Sequence, residues 1–254
     1  MQVTAYVKKT IDENFNGQLI MLTISGSHLY GWESVDSDID WRGVYLAGTE
    51  NFLGLQRPRT FNLNELKPYD LELKELGHFL NLGLAGNCNV LDTINSRPIY
   101  RTPQAIELRQ IINNTITKDG VFHSYMGLAE SNYTKFILGG TGITYKKYLY
   151  IIRAICAGTH ILQTGVVQPN MKELNKYFKL PEVKTLLKHK REGGEEEAVG
   201  DLVLSGRLDE LIPSLIERME KAYIKSKLPT EREEKEIKGV NNWLMKQRIK
   251  KIGM

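Results

Sequence analysis

Apolar and polar positions follow two different rhythms along this chain, and the change falls near residue 100. Before it, apolar runs of strand length are separated by turn signals; after it, only helical periodicity remains. The runs that predict strands are Gln18 to Ser25 (QLIMLTIS), Asp38 to Ala47 (DIDWRGVYLA) and Tyr69 to Leu73. The segments that predict helices in the second part are 103–113, 120–138, 143–165, 170–178, 181–191, 207–227 and 230–251. The pattern therefore predicts an α/β domain over residues 1–100 and an all-helical domain over residues 101–254.

Short helices connect the predicted strands of the first part. An amphipathic helix over 4–15 should stop at the turn Asn16-Gly17. Another should begin at 28 with Ser27 as its N-cap, and Gly43 should introduce a bulge into the strand over 38–47. Helices over 74–85 and 89–94 should follow the third strand, and Pro98 and Pro103 mark the predicted domain boundary.

Composition places the chain among globular proteins with a substantial core. Its 254 residues are 41% hydrophobic and 25% charged. No apolar run approaches the length of a membrane span, and the N-terminus lacks the basic-then-apolar order of a signal peptide. Cys88 and Cys156 form no disulfide or zinc spacing. We therefore expect a cytoplasmic protein with no membrane partner.

Charge is distributed unevenly, although the net charge is only +4. Glu33, Asp36, Asp38 and Asp40 cluster within residues 33–40 with no basic residue among them. The segment 131–172 has no Asp or Glu and carries Lys135, Lys146, Lys147, Arg153 and Lys172. An acidic cluster for metal and a basic segment for phosphates would be complementary parts of one site, whereas chance clustering of solvated charges is the simpler alternative.

The turn Gly26-Ser27 and the pair Asp38 and Asp40 carry the candidate chemistry. Successive side chains of a strand point to opposite faces, so Asp38 and Asp40 share one face and could bind the same cations. Paired carboxylates on hard divalent ions are typical of phosphoryl-transfer sites. The small turn before them could hold a phosphate on its backbone N–H groups.

A series of motifs carries a family resemblance. In order along the chain they are Gly26-Ser27, Tyr30-Gly31, Ser37-Asp38-x-Asp40-x-Arg42-Gly43-Val44-Tyr45, Asp70, Glu75-Leu76-Gly77-His78-Phe79-Leu80, Gly86-Asn87-Cys88-Asn89-Val90-Leu91-Asp92, Lys146-x-x-x-Tyr150-x-x-Arg153 and Leu162-Gln163-Thr164-Gly165. This set resembles the DNA polymerase β superfamily of nucleotidyltransferases, in the bacterial and phage branch associated with RNA repair. The resemblance implies an α/β (α+β) nucleotidyltransferase core with a small mixed sheet, followed by helices.

The resemblance also implies an activity and its residues. A nucleoside monophosphate would move from an NTP such as ATP to a hydroxyl, and pyrophosphate would leave. Asp38 and Asp40 would hold the nucleotide-bound Mg²⁺, or Mn²⁺, and Asp70 would join Asp40 at a second ion. The nucleotide-binding residues implied are Gly26, Ser27, Arg42, Lys146, Tyr150 and Arg153, and Tyr150 stands where the family has histidine.

Three assignments stay open. Glu72 lies two residues after Asp70, hence on the same strand face, and could be the third carboxylate instead. Arg42 could pair with a carboxylate as readily as contact substrate. The acceptor could be an RNA end, which the family association and the basic segment favour, or a protein hydroxyl modified by AMP transfer. A non-catalytic nucleotide-binding module is the remaining class.

Overall fold

The computed structural model describes residues 2–63, 69–138, 143–192, 199–200 and 202–250. The strands in these ranges are β1 (Gln18–Ile24), β2 (Ile39–Leu46), β3 (Thr60–Leu63), β4 (Tyr69–Glu75) and β5 (Pro98–Arg101). The α-helices are α1 (Gln2–Phe15), α2 (Gly26–Tyr30), α3 (Leu76–Leu84), α4 (Cys88–Asn95), α5 (Pro103–Asn114), α6 (Lys118–Asn132), α7 (Tyr145–Thr164), α8 (Met171–Phe178), α9 (Pro181–Glu192), α10 (Leu202–Lys225) and α11 (Glu234–Lys250). A 3-10 turn spans Thr49–Phe52, and Tyr133–Leu138 is π-helical.

The strands form one mixed sheet in the order β3-β4-β2-β1-β5. The central pair β2 and β4 is parallel, whereas the β1–β2, β1–β5 and β3–β4 pairs are antiparallel. Every α-helix after β5 belongs to the part of the chain that was predicted to be helical. The predicted fold class, an α/β core with a small mixed sheet followed by helices, is therefore confirmed.

Apolar side chains cover both faces of the sheet. On one face, Val7 and Ile11 of α1 pack with Leu22, Tyr45 and Leu71. On the other face, the core begins at the sheet and continues through α3 and α4 into the long helices α6, α7 and α10. The proposed boundary between domains at residues 100 and 101 stays a prediction, and this continuous core lies across it.

Both edge strands were missed by the sequence analysis. β3 has only four residues and lies in a stretch rich in Gly, Pro and Asn, too short to show a period. β5 begins at Pro98, which the analysis used as a boundary signal. An edge strand tolerates proline because one side of its backbone makes no ladder hydrogen bonds.

Two local predictions were wrong. Helix α2 begins at Gly26, so the N-cap is Ser25, and Ser27 lies in the first turn. The irregular register occurs in β1 between Leu19 and Met21. Gly43 stays in the ladder, and it is glycine because a Cβ there would lie 2.6 Å from Cδ2 of Leu73.

Other expectations have simpler outcomes. Among the described residues, no helix combines the length and the apolar character needed to span a membrane. Cys88 and Cys156 are buried free thiols. Residues 139–142, which lie between the predicted helices 120–138 and 143–165, are outside the described residues.

Candidate active site

A cleft of about 270 Å³ lies where the two central strands meet helices α2, α3, α4 and α7. Its floor is formed by β2 and β4, and one residue of α7 reaches it from the helical part. The lining residues are Ser25, Gly26, Tyr30, Asp40, Arg42, Gly43, Glu72, Lys74, Phe79, Asn89, Val90, Thr93 and Tyr150.

The parallel register of β2 and β4 brings two of the predicted carboxylates together. Asp40 of β2 lies directly beside Asp70 of β4 in the ladder. Their neighbours Trp41 and Leu71 are buried on the α1 side of the sheet. Alternation therefore directs Asp40 and Asp70 to the opposite face, where Asp40 lines the cleft and Asp70 lies beside Asp40 without lining it. Residues thirty positions apart in the sequence thus form one acidic pair.

Arg42 lies between these two carboxylates. Its Nη2 atom is 3.2 Å from Oδ2 of Asp70 and 3.7 Å from Oδ1 of Asp40. Its Nη1 atom donates hydrogen bonds to the carbonyl oxygens of Asp70 and Trp41, at 3.1 and 2.9 Å. Arg42 therefore pairs with carboxylates, which is one of the two roles that the sequence analysis considered for it. Its positive charge offsets the repulsion between the two aspartates.

Asp40 is the more enclosed aspartate of the pair. Its side chain is 28% exposed, against 55% for Asp70. Burial raises the pKa of the Asp40 carboxyl above its ordinary value, and Asp70 and Asp38 raise it further, whereas Arg42 and Lys146 lower it. The ammonium of Lys146 therefore acts on Asp40 from helix α7.

Gly26 touches the same carboxylate through its backbone. A Cβ atom at this position would lie 1.7 Å from Oδ2 of Asp40, and the φ angle of Gly26 is +60°. Both facts require glycine, since only glycine adopts this φ at low cost and leaves the space free. The Ser25 N–H also donates to the Asp40 carbonyl oxygen at 2.8 Å, which fixes the turn against β2.

Asp38 and Ser27 lie near this centre without lining the cleft. Asp38 is exposed and precedes the first residue of β2. Ser27 is buried, and its carbonyl oxygen accepts hydrogen bonds from the N–H groups of Gly31 and Trp32 at 3.0 and 3.1 Å. Ser25 and Gly26 form the cleft wall instead.

Glu72 has a different environment from Asp70. It lies beside Arg42 in the β2–β4 ladder, two residues further along each strand than the Asp40–Asp70 pair. Its carboxylate forms an ion pair with Lys74. Both Glu72 and Lys74 line the cleft, so they extend its polar wall away from Asp40.

Of the three predicted residues of helix α7, Tyr150 lines the cleft, whereas Lys146 and Arg153 do not. Tyr150 lines the cleft and packs edge-on against Tyr30 and Trp32, with ring centroids 5.8 and 5.2 Å apart. Arg153 lies one turn further along and is 1% exposed. The structure therefore does not bring the Arg153 guanidinium to the cleft surface.

Arg153 is held in a buried network behind the cleft. Its Nη1 atom is 2.8 Å from Oδ2 of Asp92, and Oδ1 of the same carboxylate accepts from the Tyr125 hydroxyl at 2.8 Å. The guanidinium also stacks 3.9 Å from the ring centre of Tyr30, a residue of the cleft wall. This network joins α4, α6 and α7 to the turn that carries Gly26.

Several cleft residues were not predicted. Ser25, Lys74, Phe79, Asn89, Val90 and Thr93 line it together with the expected residues. Lys74 shares a strand face with Asp70 and Glu72, so the strand period could have identified it. Asn89 and Thr93 are four residues apart on α4, which places them on one helix face. No signal in one sequence says that this face meets the sheet.

The donor chemistry of the acidic pair suits a hard divalent cation. Carboxylate oxygens are the ligands that Mg²⁺ and Mn²⁺ prefer, and the Asp40 and Asp70 carboxylates meet at one guanidinium. In the part of the chain that the structure describes, no group of three or more His, Cys, Asp or Glu side chains has the geometry of a metal site. Asp38 would have to complete the ligand set from its exposed position before β2.

Comparisons with known proteins identify the family of this chain. The protein YcgL of Bacillus subtilis (strain 168), described as uncharacterized, is 28% identical over 226 residues, which cover 84% of each chain. The crystal structure of a nucleotidyltransferase-like protein from Exiguobacterium sibiricum 255-15 is matched over 87% of this chain and 74% of that one, at 12% identity. The TM-score of this match is 0.31. A family model described as "RNA repair pathway DNA polymerase beta family" matches residues 3–246, so the chain belongs to this family, RlaP.

Proposed function

We propose that this protein is a metal-dependent nucleotidyltransferase that moves a nucleoside monophosphate from an NTP to a hydroxyl on an RNA end, with release of pyrophosphate. The observation that carries the proposal is the acidic pair of Asp40 and Asp70, adjacent in the β2–β4 ladder and in contact with the Gly26 turn through Asp40. Family membership supports the reaction class, and the family's name supports RNA as the acceptor.

In this proposal, Asp38, Asp40 and Asp70 hold Mg²⁺ or Mn²⁺. The ion, when bound, lowers the pKa of the attacking hydroxyl and neutralises charge on the phosphates. Arg42 keeps the Asp40 and Asp70 carboxylates directed at one point. The absence of a side chain at Gly26 lets the Asp40 carboxylate approach the backbone of the α2 turn, and both residues face the cleft.

The helical part supplies the positive charge and the aromatic wall. Lys146 of α7 acts electrostatically on Asp40, and in this proposal its ammonium neutralises part of the charge of a triphosphate held at the same carboxylates. Tyr150 offers a ring edge in the cleft. Arg153 is a positioning residue here: it holds Tyr30 and Asp92 in place behind the cleft and does not contact the nucleotide.

The experiment is an incubation of the protein with each α-labelled NTP, Mg²⁺ or Mn²⁺, and separate pools of RNA, DNA and protein. Label on RNA is expected, and Asp40→Asn should abolish it while circular dichroism shows a retained fold. Label on protein would favour the AMP-transferring alternative. NTP binding without transfer in any pool would favour a non-catalytic module.

The same assay separates Asp70 from Glu72. Asp70→Asn should lower the rate by orders of magnitude with little change in NTP affinity, because the second ion serves chemistry more than binding. Glu72→Gln should have a mild effect, since Glu72 is paired with Lys74. The two variants carry the same change of charge, so each is the control for the other. Equal effects would contradict the assignment of Asp70.

A further inference from the structure

A groove between helices α8 and α9 is lined mainly by lysines. Its volume is about 520 Å³. The residues that line it are Lys172, Asn175, Lys176, Lys179, Pro181, Lys184 and Leu187. We call this surface the lysine groove. Most of its lysines follow residue 172, where the acid-free segment of the sequence ends, so the sequence analysis did not identify it.

The turn between the two helices holds these lysines in fixed positions. Helix α8 ends at Lys179, whose φ angle of +58° is left-handed. The Asn175 side chain bridges the turn: it donates to the Leu180 carbonyl oxygen at 3.1 Å and accepts from the Leu180 N–H at 2.8 Å. Pro181 then begins α9. Because the backbone is braced, the lysines present a preformed basic surface.

The charge in the groove is only partly neutralised. Lys176 pairs with Glu173 at 2.7 Å, and Lys172 lies 3.9 Å from Glu33. Within the described ranges, Lys179 and Lys184 have no carboxylate at ion-pair distance, and Glu182 does not line the groove. Lys184 also lies in the first turns of α9, where the helix dipole disfavours a cation. An anionic partner would relieve this arrangement.

Both helices are anchored to the segment that leads to Asp38. The Asn170 side chain, at the N-cap of α8, donates to the Leu29 carbonyl oxygen of α2 at 3.1 Å. Lys190 of α9 is 1% exposed and donates to the Ser34 hydroxyl at 2.7 Å. Together with the approach of Lys172 to Glu33, these contacts put one end of the lysine groove against residues 29–34. That segment runs directly from α2 to the catalytic aspartates.

We propose that the lysine groove binds the sugar–phosphate backbone of the acceptor RNA and so directs its end toward the cleft. This inference rests on the proposed function. Lysines supply point charges without base readout, so the contact would be independent of sequence and would release counterions from the bound strand. The groove lysines are additional to the cation that acts on the triphosphate, which is Lys146. Binding and chemistry would therefore be carried by separate surfaces.

The test compares two charge-matched double variants. Lys179→Gln/Lys184→Gln changes the groove, and Lys221→Gln/Lys225→Gln removes the same charge from exposed positions of α10. Fluorescence anisotropy with a labelled single-stranded RNA measures affinity across a salt titration. The slope of log K against log salt is negative, and the groove variant should reduce its magnitude by about 1.4, which is two contacts at about 0.7 each. The α10 variant should leave the slope unchanged.

Two further readouts keep this inference separate from the proposed function. Calorimetry should show that Mg²⁺–NTP binding is the same in both double variants and the parent. If the parent transfers no label to any acceptor, the proposed function is wrong. The salt dependence of RNA affinity, measured by anisotropy, still tests whether the lysine groove binds RNA. Equal slopes for the two variants, or no RNA binding by the parent at low salt, would overturn the lysine groove as an RNA site. Nucleotidyl transfer to another acceptor would remain possible.

Discussion

The contact between the Gly26 backbone and the Asp40 carboxylate makes the turn after β1 part of the proposed catalytic site. Gly26→Ala would place a Cβ 1.7 Å from Oδ2 of Asp40 at a φ of +60°. The carboxylate has to move, and a displacement of about 1 Å in a catalytic group can lower a rate about 100-fold. Strain at such a φ also lowers the free energy of unfolding by about 1–3 kcal/mol. Steady-state kinetics and urea unfolding measure the two effects.

Gly127→Ala is the matched control for this substitution. A Cβ at position 127 meets no atom within 4 Å, and Gly127 lies inside helix α6. Alanine should therefore raise stability by about 0.5–1 kcal/mol and leave the rate unchanged. Equal rates for the two variants would show that the Gly26 contact does not position Asp40.

At the scale of elements, the Asp92–Arg153 ion pair joins α4 to α7 and is 1% exposed on both sides. Arg153→Met would leave the Asp92 carboxylate without its cation. Removing one partner of a buried pair lowers the free energy of unfolding by about 3–5 kcal/mol. The further change Asp92→Asn should restore part of that loss, since Asn keeps an acceptor for the Tyr125 hydroxyl and carries no charge. Urea denaturation of the single and double variants gives the coupling.

This cycle also tests the role that the family resemblance implies for Arg153. If Arg153 contacts the triphosphate, Arg153→Met should weaken NTP binding while the unfolding free energy stays near that of the parent. If Arg153 is a buried positioning residue, the result should be the reverse. Arg153→Met should lose much of its stability, and the double variant with Asp92→Asn should regain NTP affinity because the unpaired charge is gone.

The C-terminal helix is tied to the sheet by a second ion pair, whose pH dependence has a definite sign. Glu75 caps α3 and lies 3.2 Å from Nη2 of Arg248 in α11. Burial raises the pKa of Glu75 above its ordinary value of 4.5, although Arg248 and the N–H groups of Gly77 and His78 lower it. At pH values between the pKa of Glu75 in the unfolded chain and its higher pKa in the folded chain, the folded state binds more protons than the unfolded state. The free energy of unfolding therefore falls as the pH rises through this range.

Glu75→Gln removes that titration. The difference in Tm between variant and parent should therefore become more positive as the pH rises above 4.5, the ordinary pKa of this group. Arg248→Met provides the second arm: it removes the attraction that lowers the Glu75 pKa, so the loss of stability should extend to higher pH. Thermal unfolding followed by circular dichroism across this range measures both. A pH-independent difference for Glu75→Gln would contradict a raised pKa at this carboxylate.

Elements whose apolar pattern repeats over many residues were predictable from the sequence. Short strands, which form because a neighbouring strand offers hydrogen-bond partners, were less predictable. The helices after residue 100 were found within a few residues, because each repeats its apolar face over several turns. β3 and β5 exist because β4 and β1 offer them ladder partners, which a local pattern does not reveal. The spacing of Asp38 and Asp40 in the sequence was enough to predict that they share a strand face. That Asp40 lies beside Asp70 depends on the register of the parallel pair β2 and β4, which joins residues thirty positions apart.

At the scale of the whole molecule, the acid-free segment 131–172 does not act as one basic surface. Lys146 acts electrostatically on Asp40, Arg153 is buried, and Lys172 lines the lysine groove. Lys135 and Lys147 lie in a further environment, over the ring of Phe136, so residues that are contiguous in the sequence do not form one basic surface. Arg248 of α11 is also separate from this segment, because it pairs with Glu75.

The apolar core predicts how the whole chain unfolds. Leu76, Phe79 and Leu91 of the first hundred residues pack in the same buried cluster as Tyr125 and Ile152 of the helices. A fragment of residues 1–101 would leave this face of the sheet and of α3 and α4 in contact with water. Each buried leucine- or phenylalanine-sized side chain that becomes exposed removes about 1.5–3 kcal/mol, so a few are enough to exceed the stability of a small domain.

We therefore expect the full chain to unfold in one cooperative transition and the fragment 1–101 to lack a fixed tertiary structure. The fragment should bind a hydrophobic dye and lose its near-ultraviolet circular dichroism while keeping part of its far-ultraviolet signal. Calorimetry of the full chain supplies the comparison, because two independent domains would give two transitions. A fragment that unfolds cooperatively with well-dispersed NMR resonances would instead support the boundary predicted at residue 100. It would also mean that the shared core forms by docking of two preformed halves.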